Sequence, residues 1–137
     1  MGLILDSSVL IAAERHRENL ETLIERLRLT LGDTESAISA ITLIELTHGI
    51  YRAKTQADRH RRRAFTEDIV EGLIVHPVSL AIARLAGQIE GEQAAKGISI
   101  AVEDLIIGAT ALHLGFDVAT LNAKHFRLIP GLKILTL

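Results

Sequence analysis

The chain has 137 residues, of which 48% are hydrophobic and 3% aromatic, and it contains no cysteine. This length and apolar content predict one compact domain over residues 1–137 and argue against disorder. The lack of cysteine excludes disulfides and thiolate metal sites. A net charge of −2 provides no overall electrostatic attraction to nucleic acid.

The sequence gives no sign of a membrane span or a secretory leader. No apolar stretch approaches the ~20 residues that a transmembrane helix needs. The first apolar run meets Asp6 too early for a signal peptide and lacks a basic segment before it. We therefore expect a soluble cytoplasmic protein that does not bind membranes.

Short apolar runs alternate along the chain with helical patterns. Residues 2–5 predict a buried strand, and Ser7 or Ser8 is expected to cap a helix over residues 9–14. The i, i+3, i+4 spacing of apolar residues predicts an amphipathic helix over residues 19–31. The later predicted elements are a strand at 37–39, helices at 41–54 and 57–72, a strand at 73–75, helices at 80–95 and 102–114, a strand at 117–120 and a fifth strand within 133–137.

This alternation of short strands and helices predicts the fold class. Buried strands separated by helices are typical of an α/β fold, with a mostly parallel sheet covered by helices on both faces. We expect four to five short strands in that sheet. In open parallel sheets, ligands bind beyond the carboxyl ends of the strands.

Four acidic or amide side chains lie in or beside the apolar runs, namely Asp6, Glu45, Asp104 and Asn122. Carboxylates are costly to bury without a compensating charge, and neighbouring carboxylates raise the pKa of one another. Oxygen-ligated Mg²⁺ or Mn²⁺ would compensate them. Because the chain has no cysteine pair and no His-x-x-x-His spacing, a zinc site is disfavoured. The pattern therefore predicts a metal-dependent enzyme.

Each acid also has a purely structural explanation. Asp6 could cap the helix that follows it, and Asp104 could stabilise a helix N-terminus through the helix dipole. Glu45 could be an ordinary exposed helix residue, although apolar residues surround it in the sequence.

The basic residues are unevenly distributed. Between positions 52 and 63, six basic side chains accompany the single acid Asp58. The strip is either a solvated helix face or the surface that lets a phosphodiester enzyme hold an anion beside its own carboxylates. Its members are Arg52, Lys54, Arg59, Arg61, Arg62 and Arg63.

Four segments in a fixed order carry a family resemblance. They are LILDSSVLI at 3–11, ITLIELTHGI at 41–50, DLIIGATAL at 104–112, and TLNAKHF at 120–126 followed by IPGL at 129–132. Together they resemble the PIN-domain ribonucleases, especially the VapC-type toxins of bacterial toxin–antitoxin modules. The resemblance covers essentially the whole chain and implies the PIN-like three-layer fold.

The resemblance also implies a catalytic site. Asp6, Glu45 and Asp104 correspond to the acidic triad of the family and would ligate Mg²⁺, with Mn²⁺ as a substitute. Asn122 stands where the family often has a fourth catalytic Asp. Its amide can still coordinate a metal or hold a water, but it adds no charge, which weakens the case for a second metal.

Neighbouring polar residues are assigned by the same reasoning. Ser7 and Thr120 are expected to orient the acids through hydrogen bonds. Glu103 points away from Asp104 on a helix, and Asp117 lies at the wrong end of its strand, so neither is expected to be a ligand. His125 is expected to pack or cap near the residue that follows it, and we do not expect His48 or His125 to be catalytic.

The function implied by the resemblance is that of a Mg²⁺-dependent endoribonuclease toxin that hydrolyses RNA, with tRNA or rRNA as the target. Since aromatic residues are scarce, RNA recognition would rely on phosphates and shape rather than base stacking. The residues expected to contact RNA are Arg52, Lys54, Arg59 and Arg62.

The resemblance further implies a homodimer and a cognate VapB-like antitoxin. Helices over 20–31 and 41–51 are candidates for the antitoxin groove, and those over 80–89 and 102–114 for dimer contacts, unless these stretches are plain core. Two alternatives remain, a PIN-like nuclease of RNA processing without an antitoxin and a catalytically silent PIN-like binding module. A phosphatase with an aspartyl nucleophile is disfavoured because Ser8 replaces the second Asp of its Asp-x-Asp motif.

Overall fold

The computed structural model describes residues 2–137, which form five strands and seven helices. The strands are β1 (Gly2–Leu5), β2 (Glu35–Ser39), β3 (Ile74–His76), β4 (Asp117–Thr120) and β5 (Ile134–Thr136). The helices are α1 (Ser7–Arg15), α2 (Leu20–Leu31), α3 (Ala40–Arg52), α4 (Gln56–Gly72), α5 (Leu80–Ala94), α6 (Val102–Leu114) and α7 (Ala123–Phe126).

The strands form one parallel sheet in the order β3-β2-β1-β4-β5. The chain builds the sheet outward from β1 to β3 on one side, and then crosses over to add β4 and β5 on the other. The strand order therefore reverses between β1 and β4, where Leu5 pairs with Ala119. Such a reversal opens a crevice beyond the carboxyl ends of the two strands.

Two hydrophobic cores cover the two faces of the sheet. Successive strand residues point to opposite faces, so Leu3 and Leu5 enter one core while Ile4 between them enters the other. Side chains of α1, α2 and α4 fill the first core, and those of α5 and α6 fill the second. The predicted three-layer α/β fold is therefore confirmed, and the sheet is parallel throughout.

Several helix ends are fixed by local chemistry that the sequence signals. The side chains of Asn19, Ser39, Thr55 and Ser79 each accept a hydrogen bond from a backbone N–H in the first turn of α2, α3, α4 and α5, respectively. Gly115 ends α6 in the left-handed conformation, with φ of 70°, which a residue without a Cβ adopts at little cost.

Some predicted details were wrong. The capping role expected for Ser7 or Ser8 is not observed, because α1 begins at Ser7 and its N-cap residue, Asp6, makes no side-chain capping bond. The third strand begins one residue later than predicted, since Leu73 still donates its backbone N–H to Ile69 at the end of α4. The short helix α7 was not predicted.

Within residues 2–137, no helix is both long enough and apolar enough to cross a bilayer.

Candidate functional site

The carboxyl ends of β1 and β4 bring together residues that are more than a hundred positions apart in the sequence. Asp6 directly follows β1, and Thr120 is the last residue of β4. The backbone N–H of Asp6 donates to the carbonyl of Ala119 at 2.9 Å, which extends the pairing of the strands. Asp6 and Thr120 therefore meet at the point where the strand order reverses.

Two hydroxyls hold the Asp6 carboxylate. Asp6 is 4% exposed, and its Oδ2 accepts hydrogen bonds from Ser8 Oγ at 2.7 Å and Thr120 Oγ1 at 2.8 Å. Each hydroxyl has a single proton to donate, and each accepts in turn from a backbone N–H, Leu121 to Ser8 at 3.1 Å and Asn122 to Thr120 at 2.9 Å. The network orients Asp6 toward the site rather than toward the end of α1.

Glu45 lies in the second turn of α3 and is only partly exposed. Its Oε2 accepts a hydrogen bond from Ser7 Oγ at 3.1 Å, while its Oε1 is buried without a partner. Burial raises the pKa of Glu45, against the opposing effect of the Ser7 hydrogen bond, and the charges of Asp6, Glu103 and Asp104 raise it further. Glu45 is therefore not an ordinary exposed helix residue.

Asp104 lies in the first turn of α6, as expected, with its side chain 19% exposed. Burial raises its pKa, the charge of Asp6 adds to the effect, and His125 opposes it. His125 Nδ1 lies 3.6 Å from Asp104 Oδ2, with 63% of the His125 side chain exposed. The expectation that His125 packs or caps near Phe126 was wrong, because its side chain is mostly exposed and its Nδ1 lies near the Asp104 carboxylate.

The donor set fits a hard cation such as Mg²⁺. Glu45 and Asp104 are disfavoured as anions by burial and by neighbouring acids, and one buried carboxylate oxygen has no donor. Within residues 2–137, no three His, Asp or Glu side chains form a ready-made metal cage. Mg²⁺ does not need such a cage, because it keeps several waters and takes one or two protein carboxylates together with substrate phosphate.

The remaining polar candidates differ in position. Asn122 is exposed and joins the network through its backbone N–H. Glu103 is exposed and lines the same groove as Glu45, and its charge raises the pKa of both Glu45 and Asp104. Asp117 begins β4, so it lies at the opposite end of that strand from Thr120.

A groove of ≈ 560 Å³ runs beside the carboxylates, between α1, α3 and α4. Glu45 and Glu103 line it, and so do the exposed cations Arg52 and Lys54. Two further cations expected to contact RNA are engaged by backbone carbonyls. Arg62 Nη1, which also lines the groove, donates to Gly49 at 2.7 Å, and Arg59 Nη2 donates to Ala53 at 3.3 Å.

Reasoning from the sequence missed Ser8 and His125 as neighbours of the acids. Ser8 was assigned a possible capping role, although the run Asp6-Ser7-Ser8 places two hydroxyls beside a carboxylate and could have suggested that both serve the acids. No local pattern signalled His125, because its position depends on the packing of α7 against α6.

Comparisons with known proteins agree with this geometry. The family model described as PIN domain matches residues 3–132. A relative from Rickettsia bellii named Ribonuclease VapC is 32% identical over 136 residues, which is 99% of this chain and 96% of that protein. A relative from Salmonella typhimurium named tRNA(fMet)-specific endonuclease VapC is 35% identical over 109 residues, 80% of each chain.

Solved structures show the same fold. A chain of the DNA-bound VapBC complex from Salmonella typhimurium matches with a TM-score of 0.82 and 29% identity, over 99% of this chain and 98% of that one. A chain of the VapBC2 complex from Rickettsia felis, bound to a promoter DNA fragment, has a TM-score of 0.85 at 23% identity over 100% and 99% of the two chains. The chain therefore belongs to the PIN-domain family and is one of its VapC-type members.

Proposed function

We propose that this protein is a Mg²⁺-dependent endoribonuclease, the toxin of a VapBC toxin–antitoxin system, with Mn²⁺ as a substitute metal. The names of the two relatives above, Ribonuclease VapC and tRNA(fMet)-specific endonuclease VapC, support a nuclease that acts on RNA. The metal dependence rests on the chemistry of the site.

The observation that carries the proposal is the buried, unpartnered Oε1 of Glu45 among other acids. A buried carboxylate oxygen without a donor costs free energy, and here the charges of Asp6 and Asp104 increase the cost of ionising Glu45. A divalent cation would supply the missing positive charge. We therefore assign Asp6, Glu45 and Asp104 as the residues that hold it, one or two of them directly and the others through its waters.

The other residues of the site have supporting roles in this proposal. Ser7, Ser8 and Thr120 fix the orientation of Glu45 and Asp6 through their hydroxyls. When bound, the ion would acidify the attacking water and offset charge on the phosphate. Arg52 and Lys54, which are exposed along the groove, bind the phosphates that flank the scissile bond.

The proposed substrate is tRNA or rRNA, cut in a single-stranded or loop region of the cytoplasmic RNA pool. The tRNA(fMet) specificity named for the 35% identical relative supports a structured RNA of this kind. The open groove also suits an unpaired strand, since sequence-specific RNA recognition generally targets unpaired segments.

The proposed partners are a cognate VapB-like antitoxin and a second copy of this chain. The VapBC complexes among the matching structures support the antitoxin. Exposed apolar side chains on α2 and α3, Leu29 at 76% and Ile44 at 63% exposure, suit a helix-in-groove contact. Leu80 and Val102, at 68% and 54% exposure, start the helices α5 and α6 assigned to the dimer.

The test is cleavage of total tRNA and rRNA by the purified protein with Mg²⁺, with Mn²⁺ and with a chelator. We expect discrete fragments with either metal and none with the chelator, and sequencing the fragment ends identifies the target. Metal-independent cutting would contradict the proposed cofactor. The absence of cutting under every condition would favour a silent binding module.

A further inference from the structure

The basic strip at positions 52–63 divides into engaged and free side chains. Arg59 and Arg62 donate to backbone carbonyls at the α3–α4 corner, and Arg61 bridges Glu14 and Asp58. The three remaining cations, Arg52, Lys54 and Arg63, are exposed. They surround the C-terminal end of α3, close to the proposed RNA groove.

Tyr51 lies in the middle of these free cations. Its side chain is 68% exposed, whereas Phe65 and Phe126 are buried and Phe116 is partly buried. The guanidinium of Arg63 lies over the Tyr51 ring, with Cζ 6.0 Å from the ring centroid, within cation–π range. Arg63 thus packs against one side of an otherwise solvent-facing ring.

An exposed aromatic ring beside an arginine is a surface on which unpaired bases stack. Every base has a π-face, so this contact needs no particular sequence, but it does need an unstacked base. A duplex cannot provide such a base without opening. The scarcity of aromatic residues predicted that RNA would be recognised without base stacking. The exposed ring of Tyr51 modifies this prediction, because it offers one position at which a base can stack.

The position of Tyr51 relative to the acids suits a neighbouring nucleotide. Tyr51 follows Glu45 by six residues, which is about 9 Å along the helix axis, and it lies about a third of a turn around α3 from Glu45. Arg52, the next residue, lines the groove together with Glu45. A strand that places one phosphate at the acids and another at Arg52 would carry a flanking base to Tyr51.

We propose that Tyr51, backed by Arg63, stacks an unpaired base of the RNA next to the cleaved linkage and so selects single-stranded substrate. This inference rests on the proposed ribonuclease function and adds a specificity-determining residue to it. Tyr51 touches the substrate without touching the reacting atoms.

Two other occupants compete for this surface, namely the proposed antitoxin, whose contact includes Ile44, and a second copy of the chain. Ile44 is 63% exposed and lies one heptad before Tyr51 on the same side of α3. Charge favours RNA, however, because a symmetric contact through Tyr51 would bring two sets of exposed cations together. Phosphates attract those cations, whereas a second copy repels them.

The chain contains a direct reporter, since Tyr51 is its single tyrosine and it has no tryptophan. Intrinsic tyrosine fluorescence therefore reports on Tyr51 alone. The first experiment titrates the Asp6→Asn variant, which binds without cutting in this proposal, with a short single-stranded RNA of mixed sequence. We expect quenching by this RNA, and little quenching by the same sequence as a duplex, by an abasic oligomer or by inorganic phosphate.

The second experiment measures cleavage of an unpaired RNA by Tyr51→Ala, Tyr51→Phe and Arg63→Gln. Loss of a ground-state stack raises KM with little change in kcat, and we expect about a tenfold increase for Tyr51→Ala. Tyr51→Phe keeps the ring and should retain the wild-type KM. The KM of Arg63→Gln should lie between those of Tyr51→Phe and Tyr51→Ala.

Equal KM values for wild type and Tyr51→Ala, or quenching that duplex and abasic RNA reproduce, would overturn the inference. So would a Tyr51→Ala protein that turns from dimer to monomer in sedimentation while keeping its KM, because the ring would then belong to the contact between copies. In each of these cases wild-type cleavage leaves the proposed ribonuclease function intact. A wild type that cuts no RNA would contradict that function, and the quenching titration would still decide the role of Tyr51.

Discussion

At the scale of single residues, hydroxyls determine how the acids are presented. Asp6 and Glu45 accept hydrogen bonds from three side-chain hydroxyls, each of which lies beside an element end. Ser8 and Thr120 both use their protons on Oδ2 of Asp6, so this oxygen is fixed in place. Such outer partners set the orientation and affinity of carboxylates that hold metals.

Ser8→Ala tests this network. The change removes one donor to Asp6 and one acceptor for the Leu121 N–H, so we expect cleavage activity to fall about 10-fold, with more Mg²⁺ needed for half-maximal rate. Ser8→Thr keeps the hydroxyl and should lose less cleavage activity than Ser8→Ala. Kinetics across a Mg²⁺ series measure both effects. The matched control is Ser99→Ala, which removes an exposed hydroxyl outside the site. If Ser8→Ala needed no more Mg²⁺ than this control, the proposed role of Ser8 would be contradicted.

Glu45→Gln tests the electrostatic strain in the metal-free site. The pKa of Glu45 is raised in the folded protein, so the folded state binds more protons than the unfolded state as pH rises above the ordinary value of 4.5. The free energy of unfolding therefore falls through that window. Gln carries no charge at either pH, so it removes this loss. Compared with wild type, the Glu45→Gln protein should therefore have a more favourable change in stability at neutral pH than below pH 4.5.

The measurement is urea unfolding in chelator at both pH values, with the exposed Glu71→Gln as the matched control. A Glu45→Gln protein that loses more stability at neutral pH than in acid would show that Glu45 is not strained by its neighbours.

Single residues also show what the sequence can and cannot reveal. Asp6, Glu45 and Asp104 could be predicted as site residues because each lies in or beside an apolar run whose structure is predictable locally. The contact of Ser8 with Thr120 spans 112 positions, and it exists only because β1 pairs with β4. The neighbourhood of His125 and Asp104 likewise depends on tertiary packing, which residue spacing does not encode.

At the scale of elements, one arginine connects the helix after β1 with the basic helix. Arg61 Nε on α4 donates to Glu14 Oε1 on α1 at 2.9 Å, and its Nη2 donates to Asp58 Oδ1 at 2.8 Å. The Glu14 side chain is only 10% exposed. This bridge therefore helps to hold α1, which carries Ser7 and Ser8, against α4.

Arg61→Gln should destabilise the fold, because it leaves a nearly buried Glu14 carboxylate unpaired. The matched control is Arg28→Gln, which breaks an exposed pair with Glu25 and should cost much less stability. Urea unfolding at neutral pH measures both changes. Equal losses for the two variants would show that the Arg61 bridge contributes no more than a surface pair.

Element types were more predictable than element ends. Every strand and long helix was predicted, because apolar periodicity and capping residues are local signals. The start of β2 was placed two residues late, since Glu35 becomes strand only by pairing with Gly2. The four residues of α7 are too few for a helical period to be recognised.

At the scale of the whole molecule, the reversal of strand order concentrates the acids. The central strand β1 and its neighbour β4 end at the same edge. Helix α3 adds Glu45 from its second turn, and α6 adds Asp104 from its first. The groove between α1, α3 and α4 connects this edge with free cations. The acids proposed to hold the cation and the exposed cations proposed to bind phosphates thus lie on one continuous surface.

A folded site that binds Mg²⁺ must become more stable in its presence. At a free concentration of a hundred times Kd, binding to the native state adds about 2.7 kcal/mol, or several degrees in Tm for a chain of this size. We expect this shift for the wild type and for Asp117→Asn, whose carboxyl lies at the far end of β4. Asp6→Asn should lose most of it. Thermal unfolding with and without Mg²⁺ measures the change in Tm of each protein. Equal changes for wild type, Asp117→Asn and Asp6→Asn would show that the ion binds away from Asp6.

The measurement that tests the central claim most directly is Mg²⁺-dependent RNA cleavage by Asp6→Asn, Glu45→Gln and Asp104→Asn beside wild type and Asp117→Asn. Each site variant keeps its side-chain shape and removes one charge. We predict that all three lose at least about 100-fold in rate while remaining folded, and that Asp117→Asn cuts like wild type. Cleavage that survives in the three site variants would contradict the assignment of the acids as the catalytic centre.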